Sequence, residues 1–207
     1  MKSLIAVLVF SLLIFSNIMA QDEVKEMSKE EMDIPYYEIP DAPKNYDAAG
    51  VTARMIDGLG FRFYWASKDL TERDLRYKAS ETSRTALETM EHVHGLSKTI
   101  LNGISQKPNV RGGGGSEEEL DYKELRKRTL ENLKAASDIL RKEGANVEDM
   151  KVVFQRGEQT SEFPFWNLVN GPIEDAIWHA GQLVYNRRAS GNPLASGVSV
   201  FSGKKKN

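Results

Sequence analysis

The chain has 207 residues, with 28 lysines and arginines against 30 aspartates and glutamates, and 40% of its residues are hydrophobic. This length and hydrophobic content suffice for one domain with a normal core, and the near balance of charge argues against nucleic acid as a partner. Because the sequence contains no cysteine, it excludes disulfides, thiolate metal sites, thiol catalysis and lipidation on cysteine.

Residues 1–20 have the layout of a secretory signal peptide. Lys2 is followed by an apolar run from Leu4 to Phe15, and a small residue, Ala20, stands at the expected cleavage point. A run of about twelve apolar residues is too short to span a membrane, so no stable membrane anchor is expected after cleavage. The segment predicts export to the periplasm or the extracellular space, with an uncleaved N-terminal anchor as the alternative.

Three further segments follow the signal peptide. Residues 21–44 are acidic and contain Pro35, Pro40 and Pro43, which predicts an extended lead-in. Residues 45–193 carry the helical patterns and are predicted to form the one folded domain. Residues 194–207 are rich in Ser, Gly and Lys and predict a flexible tail.

Four stretches of the domain show apolar residues at helical spacing. They cover residues 46–67, 80–105, 117–143 and, for the fourth, from 165 or 172 to about 190. Gly58 and Gly60 in the first helix predict the close approach of another helix. The run Gly112–Gly115 predicts a flexible loop, and the connection after the third helix contains a short extended segment, Val152–Phe154. Four helices of this size predict an all-α fold, a four-helix bundle.

The fourth helix carries an unusual polar ridge. Asp175, His179, Gln182 and Asn186 are spaced by four, three and four residues, so their side chains leave one side of the helix. An ordinary solvent face would be rich in Lys and Glu, whereas a carboxylate, an imidazole and two amides coordinate metals or make buried hydrogen bonds. The ridge therefore predicts a polar site that lines the interior of the bundle.

Within the ridge, Asp175 and His179 stand four residues apart, which suits two ligands on one divalent ion. Imidazole and carboxylate serve zinc, nickel, iron and manganese. A third ligand can come from the second helix, where His92 and His94 flank the apolar row on opposite sides, so periodicity does not choose between them. The alternative interpretation is a metal-free cluster of hydrogen bonds, or a surface ion pair.

Three stretches of the chain resemble a known family. They are ARMIDGLGFRFYWASKDLTERDL, LETMEHVHGLSKTILN and PFWNLVNGPIEDAIWHAGQLVYNRRASGNP, and together they extend over most of residues 46–193. They look like the corresponding helices of the DinB/YfiT-like superfamily of metalloenzyme-like proteins. The resemblance implies a four-helix bundle with long crossing connections and one divalent metal held by three histidines. It also implies a homodimer.

Matched to that family residue by residue, His92 takes the place of the ligand on the second helix and His179 the place of the last ligand. Asp175 stands where the family has a histidine, and a carboxylate there shifts the preference toward harder ions. Gln182 and Asn186 would contact the ligand residues without binding the metal themselves, and His94 falls outside the family's motif. Arg187 and Arg188 are predicted to be surface or subunit contacts.

These observations predict an exported DinB-like protein that binds one divalent metal, zinc, nickel, manganese or iron, through His92, Asp175 and His179. The expected activity is that of a metal-dependent hydrolase or transferase on a small molecule, with the substrate and the catalytic residues unassigned. A second hypothesis is a metal-free structural or interaction module of the cell envelope, in which the bundle serves as a dimerising scaffold. Aromatic residues near the ridge, among them Trp166 and Trp178, can wall a substrate pocket or simply pack the core.

Overall fold

The computed structural model describes residues 34–111 and 119–206. The predicted signal peptide, most of the lead-in and the run Gly112–Gly115 lie outside the described residues. None of the helices in the described part of the chain combines the length and the apolar composition of a membrane span.

Four long helices correspond to the four predicted ones. They are α1 (Ala48–Ser67), α3 (Ala86–Ile104), α4 (Tyr122–Leu140) and α6 (Glu174–Ala189). A short helix, α2 (Glu72–Arg76), lies between the first two, and a single helical turn, α5 (Trp166–Leu168), precedes the last. Each of the four predicted helices is present, and each begins a few residues after its expected start.

Side-chain caps determine where the helices begin. Helix α3 starts at Ala86 rather than near Ser80, because Thr85 accepts a hydrogen bond from the backbone N–H of Glu88 while the Glu88 carboxylate accepts one from Thr85 N–H. This reciprocal pair satisfies two backbone donors that a helix end otherwise leaves open. Helix α4 starts after Asp121, whose carboxylate accepts from the N–H of Glu124.

The four long helices surround one core. Helices α1 and α3 each pack against both α4 and α6. The apolar rows predicted for the first and second helices are largely buried, and the largest fully buried side chains include Ile56, Leu59, Phe61, Phe63, Tyr64, Met90 and Ile100. This packing brings the middle of α3 beside the start of α6.

The prediction of an all-α four-helix bundle is wrong, because the described residues also form two small sheets and the fold is mixed α/β. One sheet has the strand order β1 (Asn109–Arg111), β2 (Lys151–Arg156), β3 (Gln159–Pro164). Strand β1 pairs with β2 in the parallel direction, and β2 pairs with β3 in the antiparallel direction. The extended segment predicted at Val152–Phe154 is confirmed as part of β2. The rest of the sheet went unpredicted because β1 is short and β3 is exposed along its length, so neither shows the alternation of a half-buried strand.

The second sheet lies in the segment predicted as a flexible tail. Strand β4 (Val198–Ser199) pairs with β5 (Lys204–Lys205) in an antiparallel hairpin. The backbone N–H of Ile39 donates to the carbonyl of Gly203, so the lead-in lies against this hairpin.

Gly60 packs against Tyr36, and not against a second helix as predicted. A Cβ at this position would lie 2.4 Å from the ring of Tyr36, which belongs to the lead-in. Gly60 therefore admits a buried aromatic ring from the N-terminal segment, and the prediction of a second helix at this point is wrong.

Candidate metal centre

The two helices that carry the candidate ligands are positioned by the core. On α3, His92 follows Met90 and precedes Val93, both fully buried, so its ring lies at the edge of the core and is partly exposed. His94 lies on the other side of Val93, and its Nδ1 is 3.1 Å from the Thr129 hydroxyl on α4. The structure therefore directs His92 toward α6 and His94 toward α4.

A π-helical turn, Val169–Ile173, leads directly into α6. Pro172 lies inside this turn and has no N–H to donate, so the regular hydrogen-bond ladder cannot continue through it. Single π-helical turns of this kind are rare and are frequent at functional sites. Asp175 lies in the first turn of α6 immediately after it, and His179 lies one turn further on the same face.

Three side chains from these helices converge. His92 Nε2 lies 3.1 Å from Asp175 Oδ2, and His179 Nε2 lies 3.3 Å from Asp175 Oδ1. One ligand atom from each of the three residues lies within 4.8 Å of the other two. The rings of His92 and His179 are nearly perpendicular, with centroids 4.5 Å apart. The three predicted ligands are thus brought together.

The two Nε2 atoms lie within ion-pair distance of different oxygens of Asp175, so the carboxylate bridges the two rings. Ligand atoms about 2.1 Å from one ion, at tetrahedral to octahedral angles, are about 3.0–3.4 Å apart. One oxygen of Asp175 and one nitrogen of each histidine, which all lie within 4.8 Å of one another, are the atoms that would hold such an ion. On a bound ion, three protein ligands would leave coordination positions open for a substrate. The side chains of His92 and Asp175 are 32% and 40% exposed, so those positions can be reached from solvent.

Gln182 contacts the other side of the His179 ring. His179 Nδ1 lies 2.8 Å from Gln182 Oε1, and because an amide oxygen only accepts, this contact favours the tautomer with the hydrogen on Nδ1. In that tautomer Nε2, the atom that faces Asp175, is the nitrogen with the free lone pair. A metal-ligating histidine is usually oriented by a second hydrogen bond of this kind.

The remaining predicted residues lie around this cluster. Gln182 contacts His179 directly, whereas Asn186, one turn further along α6, is buried and forms no side-chain hydrogen bond among the described residues. His94 lies outside the cluster and is engaged with α4. Arg188 is exposed as predicted.

The prediction that Arg187 is a surface or subunit contact is wrong. Arg187 is buried and donates to the backbone carbonyls of Trp65, Ala66 and Asn192. Burial lowers the pKa of its guanidinium, while the charge of Asp74 opposes that effect. Its role is to join the end of α6 to the end of α1.

Sequence reasoning missed a cleft beside the cluster. It runs along α6 to the segment before α3, and Arg84, Trp178, His179, Gln182 and Asn186 are among its lining residues. Arg84 carried no signal in the sequence, because it lies in an irregular segment. Trp178 and Tyr185 are seven residues apart on α6, and that spacing of aromatic residues could have indicated an exposed face.

Fold and site together define a mixed α/β protein with a candidate mononuclear metal centre between two helices. No protein-family model, curated protein or solved structure matches the chain. The resemblance to the DinB/YfiT-like superfamily therefore stays a prediction from the three sequence stretches quoted above.

Proposed function

We propose that the protein is an exported metalloprotein that binds one divalent cation through His92, Asp175 and His179. The observation that carries the proposal is the convergence of one nitrogen from each histidine on the two oxygens of Asp175. Two imidazoles and one carboxylate form a ligand set common to zinc, manganese and iron sites.

The proposed activity is hydrolysis or group transfer on a small molecule. When bound, the cation would supply Lewis-acid chemistry at this point. The chain's own residues prepare the site: Gln182 holds His179 in the tautomer whose Nε2 can ligate, and Asp175 spans both histidines. The partial exposure of His92 and Asp175 gives a substrate access to the cluster.

The proposal is tested by metal content and affinity. We expect about one zinc, nickel or manganese ion per chain by elemental analysis, and a loss of at least tenfold in affinity for His92→Gln, Asp175→Asn and His179→Gln, because each substitution removes a ligand. His94→Gln is the matched control, since it removes a histidine from the same helix but outside the cluster.

Two results would contradict the proposal. One is wild-type protein that retains substoichiometric metal after all three ions are offered, which would favour the metal-free scaffold instead. The other is His92→Gln protein that binds metal as tightly as His94→Gln. If metal binds, hydrolysis of activated carboxylic and phosphate esters, with and without the ion, separates a hydrolase from a transferase.

A further inference from the structure

A cleft of about 750 Å³ lies along α6 and faces the segment before α3. It meets the candidate metal centre only at His179, whose Nε2 points to Asp175 and whose Nδ1 points to Gln182 in the cleft wall. His92 and Asp175 are not among its lining residues. A molecule in the cleft would therefore lie beside the metal ligands without needing the metal in order to bind.

Asn186 is a polar residue of the cleft wall. It is 6% exposed, and its side chain forms no hydrogen bond with the described residues. Because none of the described residues has a buried side-chain nitrogen or oxygen atom without a partner, the exposed part of Asn186 includes its amide atoms. Asn186 thus presents a donor and an acceptor to whatever occupies the cleft.

Two further polar groups face the same space. The Oε1 atom of Gln182 is engaged by His179, which leaves its amide hydrogens available to the cleft. Arg84 lines the cleft from the segment before α3 and is exposed. Its charge acts on Glu88, but it forms no ion pair within hydrogen-bond distance among the described residues. A guanidinium and two amides together recognise a carboxylate, to which Arg binds with two parallel hydrogen bonds.

The apolar part of the cleft is aromatic. Trp178 and Tyr185 lie seven residues apart on α6 and are 71% and 62% exposed. Gly181 lies between them, and a Cβ at this position would meet nothing within 4 Å, so the floor between the two rings is open. Exposed aromatic rings bordering an open floor suit a flat apolar group.

We propose that this cleft binds a small planar carboxylate, with the acid group held by Arg84, Gln182 and Asn186 and the flat body between Trp178 and Tyr185. Benzoate is the simplest probe of that class. Benzamide keeps the ring and removes the charge, and acetate keeps the charge and removes the ring.

The test is a calorimetric titration of the protein after treatment with EDTA. We expect saturable binding of benzoate, and binding at least tenfold weaker for benzamide and for acetate, because each lacks one of the two recognised features. Arg84→Gln should weaken benzoate about tenfold and leave benzamide unchanged. Arg188→Gln, the same change on an exposed arginine of α6 outside the cleft, should leave benzoate binding unchanged.

Asn186→Leu should also weaken benzoate, and if that buried substitution prevents folding, Gln182→Leu reports on the neighbouring amide at an exposed position. Three results would overturn the proposal: no saturable binding, equal affinity for benzoate and benzamide, or equal losses in Arg84→Gln and Arg188→Gln. Since the titration is made without metal, its failure leaves the metal proposal intact, and a failed metal titration leaves this result intact.

Discussion

Asp74 shows how a single buried carboxylate joins distant parts of the chain. Its oxygens accept hydrogen bonds from the hydroxyl of Ser190, from the amide of Asn192, and from the backbone and hydroxyl of Thr71. Burial alone would raise the pKa of Asp74, but these donors outweigh burial and lower it to about 2. The ionised form is therefore the one that the fold stabilises.

The lowered pKa of Asp74 predicts a specific loss of stability in acid. Because the folded pKa lies below the ordinary value of 3.8, the stabilisation is fully present above about pH 4 and is lost as the pH falls toward 2. We expect Asp74→Asn to lower the free energy of unfolding by about 2 kcal/mol at pH 7, and this difference to shrink toward zero near pH 2. Urea unfolding across this pH range measures it.

Asp138→Asn is the control for that experiment, because Asp138 forms an exposed i, i+4 pair with Lys134. Such pairs contribute about 0.3–0.5 kcal/mol, so this variant should lose little at any pH. A destabilisation of Asp74→Asn that stays constant from pH 7 to pH 2 would contradict the assigned pKa.

Residue identities on the candidate site were predictable to different degrees. Asp175 and His179 followed from their spacing on one helix, which needs no knowledge of the neighbouring element. The choice of His92 over His94 did not follow from spacing, because both flank Val93; the resemblance favoured His92, and α6 packs on the side of α3 that carries it. Burial of Asn186 agrees with the interior position predicted for the ridge, whereas burial of Arg187 was not predicted, since α6 carries polar residues on all sides.

At the scale of elements, the lead-in is held against α1 by Tyr36. Its ring fills the space above Gly60, and its hydroxyl donates to the carboxylate of Asp57, which is also paired with Arg141 on the segment after α4. Burial and the negative charge of Asp57 raise the pKa of Tyr36, so the phenol stays protonated and continues to donate. The first helix is thus linked to elements on both sides through one buried carboxylate.

The close approach at Gly60 predicts opposite effects for two helical glycines. Gly60→Ala should lower the free energy of unfolding by about 1–3 kcal/mol, because its Cβ would overlap the Tyr36 ring. Gly95→Ala on α3 should raise it by up to about 1 kcal/mol, because a Cβ there meets nothing within 4 Å and alanine favours the helix. Chemical denaturation of both variants measures the difference, and a stabilised Gly60→Ala would refute the packing described for Tyr36.

Long helices were predictable because each presents a buried row at a period that only a helix provides. The pairing of strands β2 and β3 was not predictable from the sequence. Only Val152 of β2 is buried and every residue of β3 is exposed, so these strands show almost no alternation of apolar and polar side chains. The resemblance to an all-helical family reinforced the wrong fold class. The π-helical turn before α6 likewise has no periodic signature beyond Pro172.

At the scale of the whole molecule, the candidate metal centre joins two helices that are far apart in sequence. His92 lies on α3, and the other two ligands lie on α6. Helix α4 and the three-stranded sheet lie between these two helices in the sequence. A cation bound by all three residues would hold α3 and α6 together, and these residues come together only in the folded protein. Binding should therefore stabilise the molecule as a whole.

This linkage predicts a zinc-dependent melting temperature. Free zinc at about one hundred times its dissociation constant stabilises a protein that binds it only when folded by about 2.7 kcal/mol, which for a chain of this length raises Tm by about 5–10 °C. We expect that rise for the wild type and for His94→Gln, its reversal by EDTA, and its loss in His92→Gln, because that variant cannot join α3 to α6. Differential scanning calorimetry with and without zinc measures all three. An equal rise in the Tm of His92→Gln would show that zinc binds elsewhere on the protein. The site between α3 and α6 would then not be the cause of the higher Tm.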